Sequence, residues 1–219
     1  MNQVHTLNIE IDWKLISIIS KIDRFDAEWI SIEKKEGLSL KQLKAIATVR
    51  SVGASTRIEG SKMSNEEVDV LLSDLTIDKL EDRDSQEVAG YFEVLDLISK
   101  SYDGIDLTEN SLKNLHNRLL KYSAKDDWHK GRYKQLSNSV ETAKPGIETE
   151  DAMRALIKWY ANDTETHPLV KTAIFCYEFV SIHPFQDGNG RISRLLSSLL
   201  LIKDGYKWIQ YVSLEHEIE

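Results

Sequence analysis

A chain of 219 residues with a net charge of −8 and a pI near 5.3 is long enough to bury one core, and its acidic balance excludes general electrostatic capture by nucleic acid or anionic membrane. The single cysteine, Cys176, sits in the apolar run AIFCYEFV, which excludes an intramolecular disulfide and predicts a buried, inert thiol. No stretch approaches the roughly 20 apolar residues of a membrane span and the first residues lack the pattern of a signal peptide, so the cytoplasm is the expected location.

Three prolines and ten glycines in a chain rich in Leu, Ile, Lys and Glu predict an all-α fold. Val4, Leu7, Ile9 and Ile11 alternate and read as a short extended piece. Leu15, Ile18, Ile19 and Ile22 then recur at helical spacing, and core packing is the expected use of that face. Residues 1–37 read as an N-terminal helical and extended region, and 38–219 as the main helical domain, with one of its helices near 40–60. Ser64 and Glu67 form a capping-box pattern ahead of VDVLLS. Val88, Tyr91, Phe92 and Leu95, and then Leu112, Leu115, Leu119 and Leu120, mark two more amphipathic helices.

Residues 131–146, GRYKQLSNSVETAKPG, read as a short β-hairpin or extended flap, with alternation around Tyr133 to Val140 and a Pro-Gly turn. Thr149 precedes an acidic first turn and is expected to cap a helix; Gly104 and Gly205 stand where helices should stop. Ser213 is placed to cap one further helix, which leaves open a native chain that continues past Glu219.

Val170, Ala173, Ile174 and Tyr177 on one side, and Ile192, Leu195, Leu196, Leu199 and Leu200 on the other, give apolar stripes flanking HPFQDGNG. The stretch is thus helix, tight loop, helix. Gly188 and Gly190 let backbone N–H groups approach a ligand, and the loop feeds a helix N-terminus that favours an anion. Arg191 and Arg194, three residues apart, are expected to reach one side and grip separate phosphate oxygens; a plain Asp187–Arg191 ion pair at i, i+4 is the alternative. Asp187 is placed to hold Mg²⁺, and His183 to take a proton from an attacking hydroxyl. Phe185 reads as the core anchor of the loop.

HPFQDGNGRISR matches the pattern His-x-Phe-x-Asp/Glu-Gly-Asn-Gly-Arg-x-x-Arg and resembles the Fic family at every defining position. The resemblance runs over roughly residues 40–219, including Gly131 to Tyr133 and the HPLVKTA start at His167. It implies a Fic-type helical bundle with a short β-hairpin flap, and an enzyme that moves AMP from Mg-ATP to a Ser, Thr or Tyr hydroxyl of a target protein. It makes His183 the base and Asp187 the Mg²⁺ ligand. Gly188, Asn189 and Gly190 become the anion hole, Arg191 the β-phosphate contact and Arg194 the γ-phosphate contact.

Ser55 to Gly60, STRIEG, is similar to the family's inhibitory pattern Ser/Thr-x-x-x-Glu-Gly/Asn, in which Glu59 would pair with Arg194 and switch the enzyme off; without the resemblance, Glu59 and Gly60 read as a helix end. Some family members use such a carboxylate to position a water that removes AMP, so a de-AMPylating or bifunctional enzyme stays open, as does a non-catalytic nucleotide-binding module. Relatives with Lys in place of the second glycine transfer phosphate; Gly190 speaks against that here. Asn138, Ser139 and Val140 are the flap residues expected to dock the target as an added strand. A homo-oligomer stays open. A metal hydrolase using His167, His183 and Asp187 lacks an HExxH spacing, and DNA binding lacks a basic helix.

Overall fold

The computed structural model describes residues 11–76, 80–137 and 144–219. Nine α-helices occur among them: α1 (Trp13–Lys35), α2 (Gly37–Ile58), α3 (Asn65–Ser73), α4 (Arg83–Ser101), α5 (Glu109–Leu119), α6 (Ile147–Asn162), α7 (Pro168–Ile182), α8 (Asn189–Lys203) and α9 (Leu214–Ile218). None is long and apolar enough to cross a membrane.

Helix α8 is the centre of the bundle, because IxxLLxxLLLI leaves it apolar on nearly every side: Ile192, Leu195, Leu196, Leu199, Leu200, Leu201 and Ile202 are all buried. Helices α2, α4, α5 and α7 pack around it. Helix α7 turns a different face inward from the one its spacing suggested. Thr172, Phe175, Phe179 and Ile182 are buried, while Tyr177 is 57% exposed. A segment apolar all round carries no period strong enough to choose a side.

Helices α4 and α5 touch at Gly90, where a Cβ would come within 2.0 Å of the Leu119 carbonyl oxygen. Helix α1 is peripheral. Of its apolar stripe, Ile22 packs on the core but Ile18 is 44% exposed, and Trp29 alone of this helix is buried. Its anchors are aromatic and polar instead. Trp29 meets the Tyr211 ring at 5.1 Å and Phe25 meets Trp208 at 5.3 Å, while Asp23 accepts from the Tyr206 hydroxyl at 2.8 Å.

Several termini follow the sequence. Ser64 and Glu67 make the reciprocal capping box, Ser213 caps α9, and Gly205 (φ 108°) closes α8 in a Schellman motif, with Tyr206 N–H on the Leu201 carbonyl at 3.0 Å. Two do not. Gly104 ends a 3₁₀ turn after α4 and has no positive φ. Helix α6 starts at Ile147 behind Gly146 (φ 84°), so Thr149 is inside the first turn and its hydroxyl donates to the Lys144 carbonyl at 2.7 Å. The left-handed Pro-Gly turn starts the helix earlier than the acidic pattern suggested.

The hairpin expected over 131–146 is not seen. Among the described residues there is no strand, only one antiparallel bridge, Tyr133 to Phe185. Asn138, Ser139 and Val140 lie outside the described residues, as do Val4, Leu7 and Ile9; Ile11 precedes the α1 cap and is exposed. Because a Cβ at Gly90 must displace backbone, Gly90→Ala is expected to lower unfolding stability by about 3 kcal/mol, read as a fall in the urea midpoint at unchanged slope.

Candidate active site

The stretch between α7 and α8 is shaped by three local constraints. Proline at 184 keeps its predecessor out of the right-handed helical region, and His183 takes a left-handed conformation (φ 53°), the only non-glycine among the described residues to do so. Gly188 (φ 78°) then turns the chain into α8. Between them the Asn189 side chain closes the loop on itself: its Oδ1 accepts from Phe185 N–H and its Nδ2 donates to the Phe185 carbonyl, both at 2.8 Å. Asn189 is 2% exposed, so its amide is committed to the loop.

Phe185 is fully buried and stacks on the His116 ring, centroids 3.9 Å apart and 4° from parallel. His116 is a structural tie that the sequence reading missed. Its Nδ1 accepts from Gly131 N–H at 2.9 Å, which puts the proton on Nε2, and that nitrogen donates to the Asp187 carbonyl at 3.0 Å. Burial depresses its pKa to about 4. The available signal was position, since His116 follows Leu112 and Leu115 on the buried stripe of α5.

Lys134, also missed, is 1% exposed; its ammonium donates to the Ile182 carbonyl at 3.1 Å and its N–H to the Pro184 carbonyl at 2.8 Å. It braces the end of α7 next to His183. In His183 the Nδ1 lies 3.3 Å from the Val180 carbonyl, which assigns the neutral tautomer's lone pair to Nε2. Burial, then the positive charge of Lys134, lower the His183 pKa against the opposing pull of Asp187 and Glu59.

Asp187 accepts from Gly188 N–H at 2.6 Å and lies 3.4 Å from an Arg191 nitrogen. Burial raises its pKa, but Arg191, that N–H and Arg83 outweigh burial and hold the carboxyl below its ordinary value. The two arginines do not reach one side. Arg191 is 1% exposed between Asp187 and Glu87, the latter 3.6 Å away and itself paired with Arg83. Among the described residues its Nε and Nη1 have no hydrogen-bond partner.

Arg194 turns to α2. Its Nε donates to the Ser55 hydroxyl at 2.8 Å, and its Nη2 to the Ser55 carbonyl at 3.1 Å and the Glu59 carboxylate at 2.7 Å. Glu59 is the C-cap of α2, followed by Gly60 (φ 101°), which closes that helix in a Schellman motif through Ser61 N–H to the Thr56 carbonyl at 3.1 Å. The helix-end reading of STRIEG and the contact with Arg194 hold together. At Gly190 a Cβ would come 2.6 Å from a Glu59 oxygen, so the carboxylate lies directly over the first turn of α8, where backbone N–H groups have no intrahelical partner. His167 is elsewhere: it caps α7 at its other end and pairs with Asp23 at 3.1 Å, roughly 20 Å of helix away from His183. Among the described residues no group of His, Cys, Asp and Glu forms a metal cluster. Cys176 donates to the Ser193 carbonyl, and burial pushes its thiol up to about 12.

Residues 106–201 match the Fic/DOC family model. The chain is 28% identical over 197 residues to the protein adenylyltransferase Fic of Drosophila melanogaster, covering 88% of this chain and 39% of that protein; the chain thus spans about two fifths of the length of that relative. Its fold is similar to a Fic family protein from Desulfovibrio desulfuricans G20, with a TM-score of 0.77 and 25% identity over 96% of this chain and 63% of that one. A Fic domain containing signaling protein from Bacteroides thetaiotaomicron is similar at a TM-score of 0.70 and 25% identity, over 85% of this chain and 73% of the other. Ser55, Glu59 and Glu87 fall outside the matched span.

The His116 tie has a pH consequence. Its folded pKa of about 4 lies below the ordinary 6.5, so its stabilisation is complete above pH 6.5 and is lost as pH falls toward 4. That difference corresponds to about 3 kcal/mol. His116→Asn is expected to be less stable at pH 7 but to lose less stability between pH 7 and pH 4 than wild type, measured by urea denaturation at both values.

Proposed function

We propose that this protein transfers AMP from Mg-ATP to a Ser, Thr or Tyr hydroxyl of a target protein and that Glu59 holds it inactive. The observation that carries the reading is the carboxylate of Glu59 lying over the α8 N-terminus at Gly190 with Arg194 on it: an anion supplied by the chain in a cradle suited to phosphate. The Nε of buried Arg191, without a hydrogen-bond partner among the described residues, supports it, since such a donor seeks an oxygen ligand. Asp187, ionised and with its side chain 42% exposed, fits a magnesium that keeps few protein ligands. When bound, that ion would neutralise charge on the phosphates.

The residues divide the work as follows. Nε2 of His183 takes the proton of the target hydroxyl while its oxygen attacks the α-phosphorus. The bond from that phosphorus to the β-phosphate oxygen breaks, and pyrophosphate leaves. N–H groups at Asn189 and Gly190 face developing negative charge, Arg191 adds positive charge from beneath the loop toward the β-phosphate, and Arg194 receives the γ-phosphate once Glu59 leaves. A charge-assisted hydrogen bond contributes about 1.5–3 kcal/mol, and about 1.4 kcal/mol suffices for tenfold suppression. The drive is therefore sufficient for autoinhibition yet small enough to be relieved.

A second reading uses the same carboxylate. Glu59 keeps 30% of its side chain exposed, compatible with holding a water that hydrolyses AMP from a modified target.

With α-labelled ATP and Mg²⁺, Glu59→Gly is expected to raise label entering protein at least about tenfold, and adding His183→Ala to abolish it, followed by gel and intact mass. Entry of γ-label instead would make the enzyme a phosphotransferase, and loss of label from pre-modified target only while Glu59 is present would select the second reading. Because His183 is held below its ordinary 6.5, the acid limb of kcat/KM in Glu59→Gly is expected below pH 6.5.

A further inference from the structure

The backbone at His183 is gripped by one residue from a distant part of the chain. His183 takes a left-handed φ of 53°, the only non-glycine among the described residues to do so, and such a conformation persists only where surrounding contacts enforce it. Lys134 makes contacts of that kind on both sides. Its ammonium donates to the Ile182 carbonyl at 3.1 Å, and its backbone N–H donates to the Pro184 carbonyl at 2.8 Å. The bridge from Tyr133 to Phe185 extends the same contact by one residue. The chain is thus clipped immediately before and immediately after the imidazole.

A clip by itself does not call for a lysine. Burying an ammonium is unfavourable unless its surroundings compensate, and Lys134 is 1% exposed, with burial lowering its pKa. The compensation comes from its place: Ile182 is the last residue of α7, where carbonyls without intrahelical partners form the negative end of the helix dipole. The charge is therefore held at the C-terminus of α7, beside His183. Among the described residues, three charged groups bear on that imidazole from three parts of the chain. Asp187 from the loop and Glu59 from α2 favour its protonated form, whereas Lys134 opposes it.

We propose that Lys134 is a positioning residue for His183, which clips the strained backbone on both sides of the imidazole and sets beside it a positive charge that keeps Nε2 open to accept a hydroxyl proton. This rests on the reading of His183 as the base given above. Once Glu59 leaves, Lys134 is the group that balances Asp187. Its removal therefore costs activity most at low pH, where protonation of Nε2 competes with catalysis. A residue that only fills space gives the same loss at every pH.

The test uses the full chain carrying Glu59→Gly as parent and compares Lys134→Met, which keeps length without charge, with Lys134→Arg, which keeps charge and donors. Proton NMR follows the His183 ring through pH, its signal identified by absence in His183→Ala, and α-labelled ATP gives kcat/KM at pH 6 and pH 8. Lys134→Met is expected to move the His183 midpoint to higher pH and to lower kcat/KM by a larger factor at pH 6 than at pH 8. Lys134→Arg is expected to restore both toward the parent. Melting temperatures report folding; should Lys134→Met unfold, Lys134→Gln, uncharged but still a donor, carries the measurement. An unmoved midpoint, or Lys134→Arg as defective as the uncharged variant, overturns the inference. If the parent transfers no label at any pH, the AMP-transfer reading fails, and the titration still decides the Lys134 effect on His183 by the same outcomes.

Discussion

Everything at this site depends on how the Asn189 amide pins the Phe185 backbone. With both amide atoms bonded to one residue at 2.8 Å, the chain between α7 and α8 is closed into a fixed loop. Phe185 is driven into the core and His183 and Asp187 are left on the outer side of the turn. The His116 ring seals this arrangement by stacking on Phe185 and bonding the Asp187 carbonyl. Two buried polar side chains that touch no ligand thus preorganise those proposed to act on one.

Around that loop the charges sort into two sets. Arg191 is enclosed by Asp187 and Glu87 beneath the loop, whereas Arg194 is met by Ser55 and Glu59 from α2. The two arginines differ in exposure, partner and consequence although they stand one turn apart on α8. The pair that covers the α8 N-terminus is Arg194 with Glu59, because that carboxylate sits over the only glycine of the first turn of α8, where no side chain intervenes.

Much of this was legible in the chain. Loop residues declared themselves through glycine, proline and asparagine, whose backbone demands are local. The capping box at Ser64 and the stop at Gly205 are equally local, being written within a few residues. Where local rules met competition the reading slipped. Helix α7 is apolar on most sides, so its period did not identify the inward face. Helix α1 has an apolar stripe without enough partner surface to cover it, and the expected hairpin is represented among the described residues only by the bridge from Tyr133 to Phe185.

What the amino-acid order determined by itself is the helical class, the loop HPFQDGNGR between two helices, and the chemistry available there: an imidazole, a carboxylate, open backbone N–H groups and two guanidinium groups. These follow from side-chain type and short-range spacing. Tertiary structure alone decided which partners those groups meet: Glu87 with Arg191, His116 with the Asp187 carbonyl, and Ser55 and Glu59 with Arg194. The reason is physical. Long-range pairings depend on which helices the hydrophobic core brings together, and a buried polar group takes whatever partner that packing leaves within about 3 Å.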